Sequence, residues 1–375
     1  MKIVFCLPQF IPSNFKLQPW LTFHRLGQEF LLNSHEVHVI TDIGISRENE
    51  GMSIHNVGSL RGKNSLRIRN LLHKIMPDAV IVSVSPLSLV TSEWYKILAQ
   101  FRAYAFLSYP FYKAEEIVRA LPYLSPQELW PYGRHLLVPK SFWHKRLLSC
   151  FKGVFCQSKR TGLRINHSFR NHIPVHFIPP GIDLDLWPIK DNSPDKVKTV
   201  FLYTGWASRI RGFNLLIDVF SQVAEPQMKL VILARGADNR EIKRIEKEVC
   251  GRLQNHVVIK DGWLDIEAFR AEVHKATVML QPFILVPSEL PVTAMESISC
   301  GTPVVVSDID GLPDAVGDAG LVVKQGNARD LTRAMKRIHR QRILVTELEK
   351  ACISRRKSIL SWKIVAHKWL DIIQN

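Results

Sequence analysis

The chain has 375 residues, of which 46% are hydrophobic and 22% are charged. This composition excludes a disordered chain, and the length predicts two domains of ordinary size. The formal net charge is +16, from 50 basic and 34 acidic side chains. No run of 18 apolar residues is present, so we expect no membrane-spanning helix. The six cysteines show no C-x-x-C pair and no zinc spacing, which predicts free thiols in a reducing cytoplasm.

The N-terminal half contains short apolar runs typical of buried parallel strands, with a helical pattern near residues 18–33. The runs are 2–8, 36–42, 77–84, 103–109, 151–158 and 175–182. They predict a Rossmann-like domain over residues 1–185. The polar, proline-bearing segment 183–198 is typical of a linker between domains.

The segment 129–170 is basic and aromatic. Residues 129–182 contain no Asp or Glu, and four aromatic side chains lie among the Lys and Arg of this stretch: Trp130, Tyr132, Phe142 and Trp143. One interpretation is a peripheral contact with an anionic membrane on its inner, cytoplasmic face. The alternative is a core-facing helix with a solvated basic face. The chain carries no recognised nucleic-acid motif, so we predict no nucleic-acid partner.

The C-terminal half alternates continuous apolar runs with amphipathic helical patterns. The runs are 200–205, 229–234, 256–262, 277–282, 303–308 and 320–325. This alternation predicts an α/β fold with a second doubly wound, Rossmann-like parallel sheet over residues 186–355. Two such domains would face each other across a cleft. Since ligands bind at the carboxyl ends of parallel strands, we expect the site between the domains.

The strongest local signal is the run P-S-E-L-P-V-T-A-M-E-S-I-S-C-G-T-P-V-V at residues 287–305. Pro291 is typical of a helix start, and Gly301 of a helix end. The free backbone N–H groups at such a start, around Leu290, Val292 and Thr293, suit a diphosphate. Glu296 follows within the same helix and can accept hydrogen bonds from both ribose hydroxyls. The alternative is a solvated helical glutamate.

This run resembles the donor-site motif of retaining glycosyltransferase family 4, which has Glu-x7-Glu before a Gly-Thr-Pro-Val-Val-like strand. The resemblance implies that Glu296 is the ribose ligand. It places Ser288 at the first Glu position, which touches the donor sugar, with Glu289 one residue further on. The motif also implies a GT-B fold, in which the last helix, residues 356–375, crosses back to the first domain.

Two further segments carry the resemblance. T-G-W-A-S-R-I-R-G-F at 204–213 is similar to the family's Gly-Arg-x4-Lys-Gly, whose two cations hold the donor diphosphate. Gly205 matches the glycine, Arg211 falls on the Lys position and Trp206 on the Arg position, so Arg209 is the candidate for the second cation. D-I-D-G-L-P-D at 308–314 is similar to the Gly-Gly-x-Pro-Glu loop and includes Gly311.

The resemblance implies transfer of a sugar, with retention, from a nucleoside diphosphate sugar to a glycan or lipid-linked acceptor. Arg209, Arg211 and Glu289 are the catalytic candidates. We predict no metal and no cofactor, because the cations and the helix dipole would neutralise the leaving phosphate. The D-x-D triplets at 183–185 and 308–310 are weak patterns within segments that the resemblance already explains.

The alternative function is a catalytically weakened nucleotide-sugar-binding protein that keeps the fold. It is favoured by three departures: Ser288 in place of the first Glu, Trp206 in place of the Arg, and the glycine-free loop Q-F-I-P-S-N-F-K at 9–16. Side chains of that loop would keep its backbone away from a phosphate. The family often has a histidine after a central strand of the first domain, where this chain has Tyr109, so no catalytic histidine is nominated.

Overall fold

The computed structural model describes residues 1–44, 47–60, 65–109, 112–137, 140–169, 172–191, 198–234, 239–249, 253–262, 264–286 and 289–375. Its strands form two sheets. The strands are β1 Lys2–Cys6, β2 Glu36–Thr41, β3 Arg47–Asn49, β4 Met52–Asn56, β5 Ala79–Val84, β6 Ala103–Leu107, β7 Gly153–Cys156, β8 Val175–Phe177, β9 Thr199–Thr204, β10 Met228–Ala234, β11 Val257–Asp261, β12 Val278–Gln281, β13 Val304–Ser307 and β14 Gly320–Val323.

The helices cover the faces of these sheets. They are α1 Trp20–Leu32, α2 Ser65–Ile75, α3 Pro86–Thr91, α4 Ala114–Ala120, α5 Pro126–Gly133, α6 Lys140–Cys150, α7 Lys159–Phe169, α8 Phe213–Val223, α9 Asn239–Val249, α10 Ile266–Lys275, α11 Val292–Ser299, α12 Leu312–Val316, α13 Ala328–Arg340, α14 Arg342–Arg356 and α15 Trp362–Gln374. None of the described helices is long and apolar enough to cross a membrane.

The first sheet has the order β3-β4-β2-β1-β5-β6-β7-β8, and its pairs are parallel except for β3 with β4. The second sheet is fully parallel in the order β11-β10-β9-β12-β13-β14. Counted from its own first strand, that order is 3-2-1-4-5-6, the order of a dinucleotide-binding Rossmann fold. The predicted fold class and all twelve predicted strands are confirmed. The short β3–β4 hairpin at the edge of the first sheet was not predicted.

Two parts of the chain cross between the domains. Helix α15 packs into the core of the first sheet, where Trp369 stacks on Phe155 with 3.8 Å between the ring centroids. In the other direction, the segment between β6 and β7 adds Tyr112, Leu124 and Tyr132 to the core of the second sheet. Each core therefore includes side chains from the other half of the chain, which fixes the two carboxyl edges against each other.

Candidate functional site

A cleft of about 450 Å³ lies where the carboxyl edges of the two sheets meet. Each sheet reverses its strand order there, between β1 and β5 in one and between β9 and β12 in the other. Such switch points leave a crevice in which ligands bind. The N-terminal wall consists of Pro8, Lys16, Leu17, Gln18, Pro19, Trp20, Ser83, Ser108 and Tyr109; the C-terminal wall consists of Thr204, Gly205, Trp206, Arg211, Phe283, Pro291, Val292 and Thr293.

Arg211 is the cation of the C-terminal wall. Its guanidinium carbon lies 5.5 Å from the ring centroid of Trp206 and 5.5 Å from that of Phe283. Burial lowers the pKa of Arg211, although a guanidinium stays charged in proteins. Among the described residues that line the cleft, none is acidic. A cation held over aromatic faces without a lining carboxylate is suited to an anionic ligand.

Gly205 makes room for that guanidinium. Its φ is +121°, and a Cβ atom at this position would lie 2.5 Å from Nη1 of Arg211. A side chain here would be strained and would displace the cation. Arg209 lies two residues before Arg211 in a short 3₁₀ turn, but its side chain is exposed and does not line the cleft. The structure therefore brings Arg211 into the cleft and leaves Arg209 at the surface.

The start of α11 forms the other part of the C-terminal wall. Pro291 precedes the helix and provides no side-chain cap, so the first backbone N–H groups remain for a ligand. Oγ1 of Thr293 accepts a hydrogen bond of 2.7 Å from Nε2 of the buried Gln281. The hydroxyl proton of Thr293 is therefore left to be donated. The sequence prediction missed Gln281, whose place at the end of β12 was its only signal.

Glu296 lies one turn further along α11. It is half-buried and falls on the same helix face as Val292 and Thr293, which line the cleft three and four residues earlier. Glu296 does not itself line the cleft. Its assignment as the ribose ligand stays a prediction, and it requires a ligand that extends along this face of the helix.

Besides Arg209 and Glu296, three more of the predicted site residues lie outside the cleft. Glu289 is only 2% exposed and accepts a hydrogen bond from the backbone N–H of Gln157 in the first domain. Leu290 and Gly311 line a second cavity, of about 250 Å³, between the same two domains. Gly311 fits a close approach there, since a Cβ atom would lie 3.0 Å from the carbonyl oxygen of Glu289. Ser288 lies outside the described residues.

The N-terminal wall of the cleft differs in chemistry from the C-terminal wall. The glycine-free loop after β1 brings the exposed Lys16 and the half-buried Gln18 to the cleft, as side chains rather than backbone. The hydroxyl of Tyr109 donates to the carbonyl oxygen of Pro131 at 3.0 Å, and its ring stacks on Tyr132. Burial raises the pKa of Tyr109, so the phenol stays protonated. Lys16 was not predicted as a site residue.

A larger surface groove, of about 770 Å³, lies at the opposite edge of the first sheet. Arg102, Lys152, His176 and Asp371 line it. None of the predicted site residues lies in this groove, and it is at the amino ends of β6, β7 and β8. Because ligands of open parallel sheets bind at the carboxyl edge, the interdomain cleft is the better candidate site.

The two facing parallel-sheet domains form the GT-B fold of glycosyltransferases. Residues 198–341, which include the whole C-terminal wall, match the family model described as Glycosyl transferases group 1. Structures of this fold cover the whole chain: HepE of Anabaena in complex with UDP has a TM-score of 0.76 at 14% identity, over 100% of both chains. Sucrose-phosphate synthase of Thermosynechococcus elongatus has a TM-score of 0.75 at 18% identity, over 100% of this chain and 98% of that one.

Curated relatives align with part of the chain. Alpha-maltose-1-phosphate synthase of Mycolicibacterium smegmatis is 28% identical over 167 residues, which are 40% of this chain and 42% of that protein. D-inositol 3-phosphate glycosyltransferase of Pseudarthrobacter chlorophenolicus is 23% identical over 188 residues, 47% of this chain and 44% of that protein. The chain thus spans less than half the length of the curated relatives it matches.

Proposed function

We propose that the protein transfers a sugar, with retention of configuration, from a nucleoside diphosphate sugar to a glycan or lipid-linked acceptor. The observation that carries this proposal is the C-terminal wall, where the half-buried cation of Arg211 and the uncapped start of α11 face one cleft. Both features attract a diphosphate, and both lie within the match to the group 1 glycosyl transferases.

The proposed chemistry is stabilisation of the leaving group. Negative charge develops on the nucleoside diphosphate as the bond to the sugar breaks. A cation and helix N–H groups that are already in place stabilise this charge without reorganisation. We propose that they act in place of a metal ion. The hydroxyl proton of Thr293, left free by the hydrogen bond from Gln281, is a further donor to the phosphate.

A uridine nucleotide is the first donor to test. Structures of the same fold hold UDP and UDP-glucose, as reported for HepE, which is 13% identical to this chain in its UDP-glucose complex. The experiment is incubation with UDP-, GDP- and ADP-sugars while free nucleoside diphosphate is measured. Slow hydrolysis of one donor, together with a thermal shift by the matching nucleoside diphosphate, would support transferase turnover.

The second candidate is a nucleotide-sugar-binding protein with little or no turnover. The burial of Glu289 against the first domain favours it, because that carboxylate does not line the cleft where a donor sugar would lie. In the same experiment this candidate predicts a thermal shift with the nucleotide and no release of nucleoside diphosphate from any donor. No thermal shift with any of the nucleotides would contradict both candidates.

We also propose that the segment 129–170 contacts an anionic membrane surface on the cytoplasmic side, which would bring a lipid-linked acceptor to the cleft. Of the aromatic side chains predicted to face the membrane, Trp130 and Phe142 are exposed at 59% and 60%, whereas Tyr132 and Trp143 are buried. Leu137 is also exposed, at 70%. The exposed Lys145 follows on α6. Exposed aromatic and basic side chains together favour the interfacial zone of a bilayer. Arg170 lies outside the described residues.

A further inference from the structure

Two carboxyl groups meet at the domain interface beside the cleft. Glu289 is 2% exposed and Asp310 is fully buried. One oxygen of each is satisfied from the first domain, but Oε1 of Glu289 and Oδ2 of Asp310 have no hydrogen-bond partner in the part of the chain that the structure describes. Two unsatisfied carboxyl oxygens in one buried interface are costly unless a proton neutralises one of the groups.

The donors to this pair come from the start of α7. The backbone N–H of Gln157 donates to Oε2 of Glu289. The hydroxyls of Ser158 and Thr161 donate to Oδ1 of Asp310 at 2.8 Å and 3.0 Å. Oγ of Ser158 also accepts from the backbone N–H of Thr161, so its proton is directed to Asp310. The residues at and just before the start of α7 therefore donate hydrogen bonds to both carboxyl groups, at the helix end that favours negative charge.

Asp310 occupies an unusual backbone position. Its φ is +42°, in the left-handed region that glycine adopts readily. In the resemblance of residues 308–314 to a Gly-Gly-x-Pro-Glu loop, Asp310 stands where the first glycine would be. The chain thus places a second buried carboxyl group at a position whose backbone suits glycine.

The surroundings do not neutralise two negative charges. The titratable and charged groups that face the pair are Arg164, Glu116, Cys156 and Tyr112. Arg164 is already paired with Glu116, with 2.6 Å between Nη2 and Oε1. Burial, followed by the charge of Asp310, raises the pKa of Glu289 well above its ordinary value. Burial raises the pKa of Asp310 to about 6.

Glu289 lies close in sequence to the helix that borders the cleft, two residues before Pro291, the residue that precedes α11. The hydroxyl of Tyr112 donates to the carbonyl oxygen of Val286 at 2.6 Å and accepts from its N–H at 2.7 Å. Val286 and Glu289 are therefore both held by residues of the first domain, so the placement of the start of α11 depends on these interdomain contacts.

We propose that Glu289 and Asp310 together retain one proton at the domain interface and act as positioning residues that hold the start of α11 against the first domain. The claim that these residues place the donor site rests on the proposed function, whereas the claim of a shared proton does not. Glu289 then acts through the start of α11, not by touching the donor.

The sign of the pH dependence follows from this arrangement. A carboxyl group that is more readily protonated in the folded state keeps its proton while the unfolded chain has lost it. Stability is therefore full below the unfolded pKa and falls as the pH rises through the folded pKa. For Asp310 this loss runs from about pH 4, the unfolded range of a carboxyl group, to about 6. For Glu289 it continues at higher pH.

The test is Glu289→Gln, which mimics the protonated acid, with Asp310→Asn as a second variant. The matched control is Glu267→Gln, an exposed glutamate on α10. The melting temperature of each protein is measured between pH 5 and 8.5 without ligand. We expect the difference between Glu289→Gln and the parent protein to grow by several degrees as the pH rises, while the control difference stays constant. Parallel curves for the Glu289→Gln variant and the parent would overturn the proposal.

Hydrogen exchange of the peptide that contains Gln157 and Thr161 gives a readout that general destabilisation would not reproduce. Protection of this peptide in the parent should fall with pH, after correction for the intrinsic exchange rate, and should become independent of pH in Glu289→Gln. UDP affinity is measured in parallel. If Glu289→Gln abolishes the pH effect but the parent does not bind UDP, the shared proton is supported and UDP is excluded as part of the donor. If the pH effect is the same in Glu289→Gln and the parent but UDP binds, the shared proton is excluded and the proposed donor is supported.

Discussion

The two walls of the cleft are built by different means. The C-terminal wall presents backbone and a half-buried cation: Gly205, the uncapped start of α11 and Arg211 over two aromatic rings. The N-terminal wall presents side chains of a glycine-free loop, among them Lys16 and Gln18. The first wall is electropositive where a diphosphate would lie. The N-terminal wall is built by a loop, and loops vary in sequence among related proteins more than the strands and helices they connect.

If the proposed function holds, this difference separates two tasks. Leaving-group stabilisation would fall to the C-terminal wall, which lies within the segment 198–341 that matches the group 1 glycosyl transferases. Acceptor recognition would fall to the N-terminal wall, which lies outside that match. The comparison therefore predicts that substitutions in the C-terminal wall affect turnover and donor binding most, and that substitutions in the first domain have smaller effects.

The largest effect is expected for Arg211→Ala. Charge on the leaving diphosphate grows in the transition state, so loss of this cation should lower kcat by about 10²–10³-fold, more than it weakens donor binding. The measurement is steady-state release of nucleoside diphosphate from the donor. The matched control is Arg209→Ala, because Arg209 lies in the same turn but is exposed. An equal loss of kcat in the two variants would show that Arg209 and Arg211 act together, as the sequence predicts, and that lining the cleft is not what makes an arginine important for turnover.

Glu296→Ala should have the next largest effect. If the carboxylate accepts hydrogen bonds from the ribose hydroxyls, the variant should lose about 1.5–3 kcal/mol of nucleotide affinity, roughly a 10–150-fold rise in Kd. Calorimetric titration with UDP measures this. Comparison with 2′,3′-dideoxy-UDP is the control, because that ligand lacks both hydroxyls and should bind the variant and the parent alike. An unchanged Kd for UDP in a folded variant would exclude the ribose contact.

The fold could be predicted from the sequence because continuous Val, Ile and Leu runs are typical of strands that are buried on both faces. The β3–β4 hairpin escaped prediction because Arg47–Asn49 and Met52–Asn56 are too polar and too short to form such a run. The segment Tyr112–Tyr132 joins the core of the other domain, which no local pattern indicates. Such contacts depend on how the two sheets face each other.

The site could be predicted only in part. Arg211 was nominated from the resemblance of residues 204–213, and the residues from Pro291 to Thr293 from a helix start; the structure places both sets at the cleft. Glu289 was predicted from its place beside the motif, but its contacts come from the start of α7, 132 positions away. Lys16 and Gln281 were missed because a lysine in a loop and a glutamine after a strand are common in any sequence.

The membrane proposal extends the comparison to the outer surface of the first domain. Each basic side chain near an anionic bilayer contributes about 1 kcal/mol, so Lys145→Ala should lower binding about 5-fold. Sedimentation with vesicles of varied anionic lipid content measures this, at low salt and near 1 M salt, where the Debye length falls to about 3 Å. Trp130→Ala tests the aromatic contribution. Equal binding to neutral and anionic vesicles, or none to either, would contradict the proposal.

The smallest effect is expected for Lys16→Ala, and it tests the comparison of the walls directly. Lys16 is exposed at the cleft, whereas Arg211 on the other wall is half-buried. Exposed charges are screened by water, and such pairs contribute about 0.2–1 kcal/mol, which corresponds to at most an about 5-fold weaker Kd for UDP. The control is Lys2→Ala, at the opposite end of β1. If both cations contact one diphosphate, the effects of Lys16→Ala and Arg211→Ala should be non-additive in the double variant. A loss for Lys16→Ala as large as that for Arg211→Ala would mean that the N-terminal wall also stabilises the leaving group, and that the division of tasks between the walls is wrong.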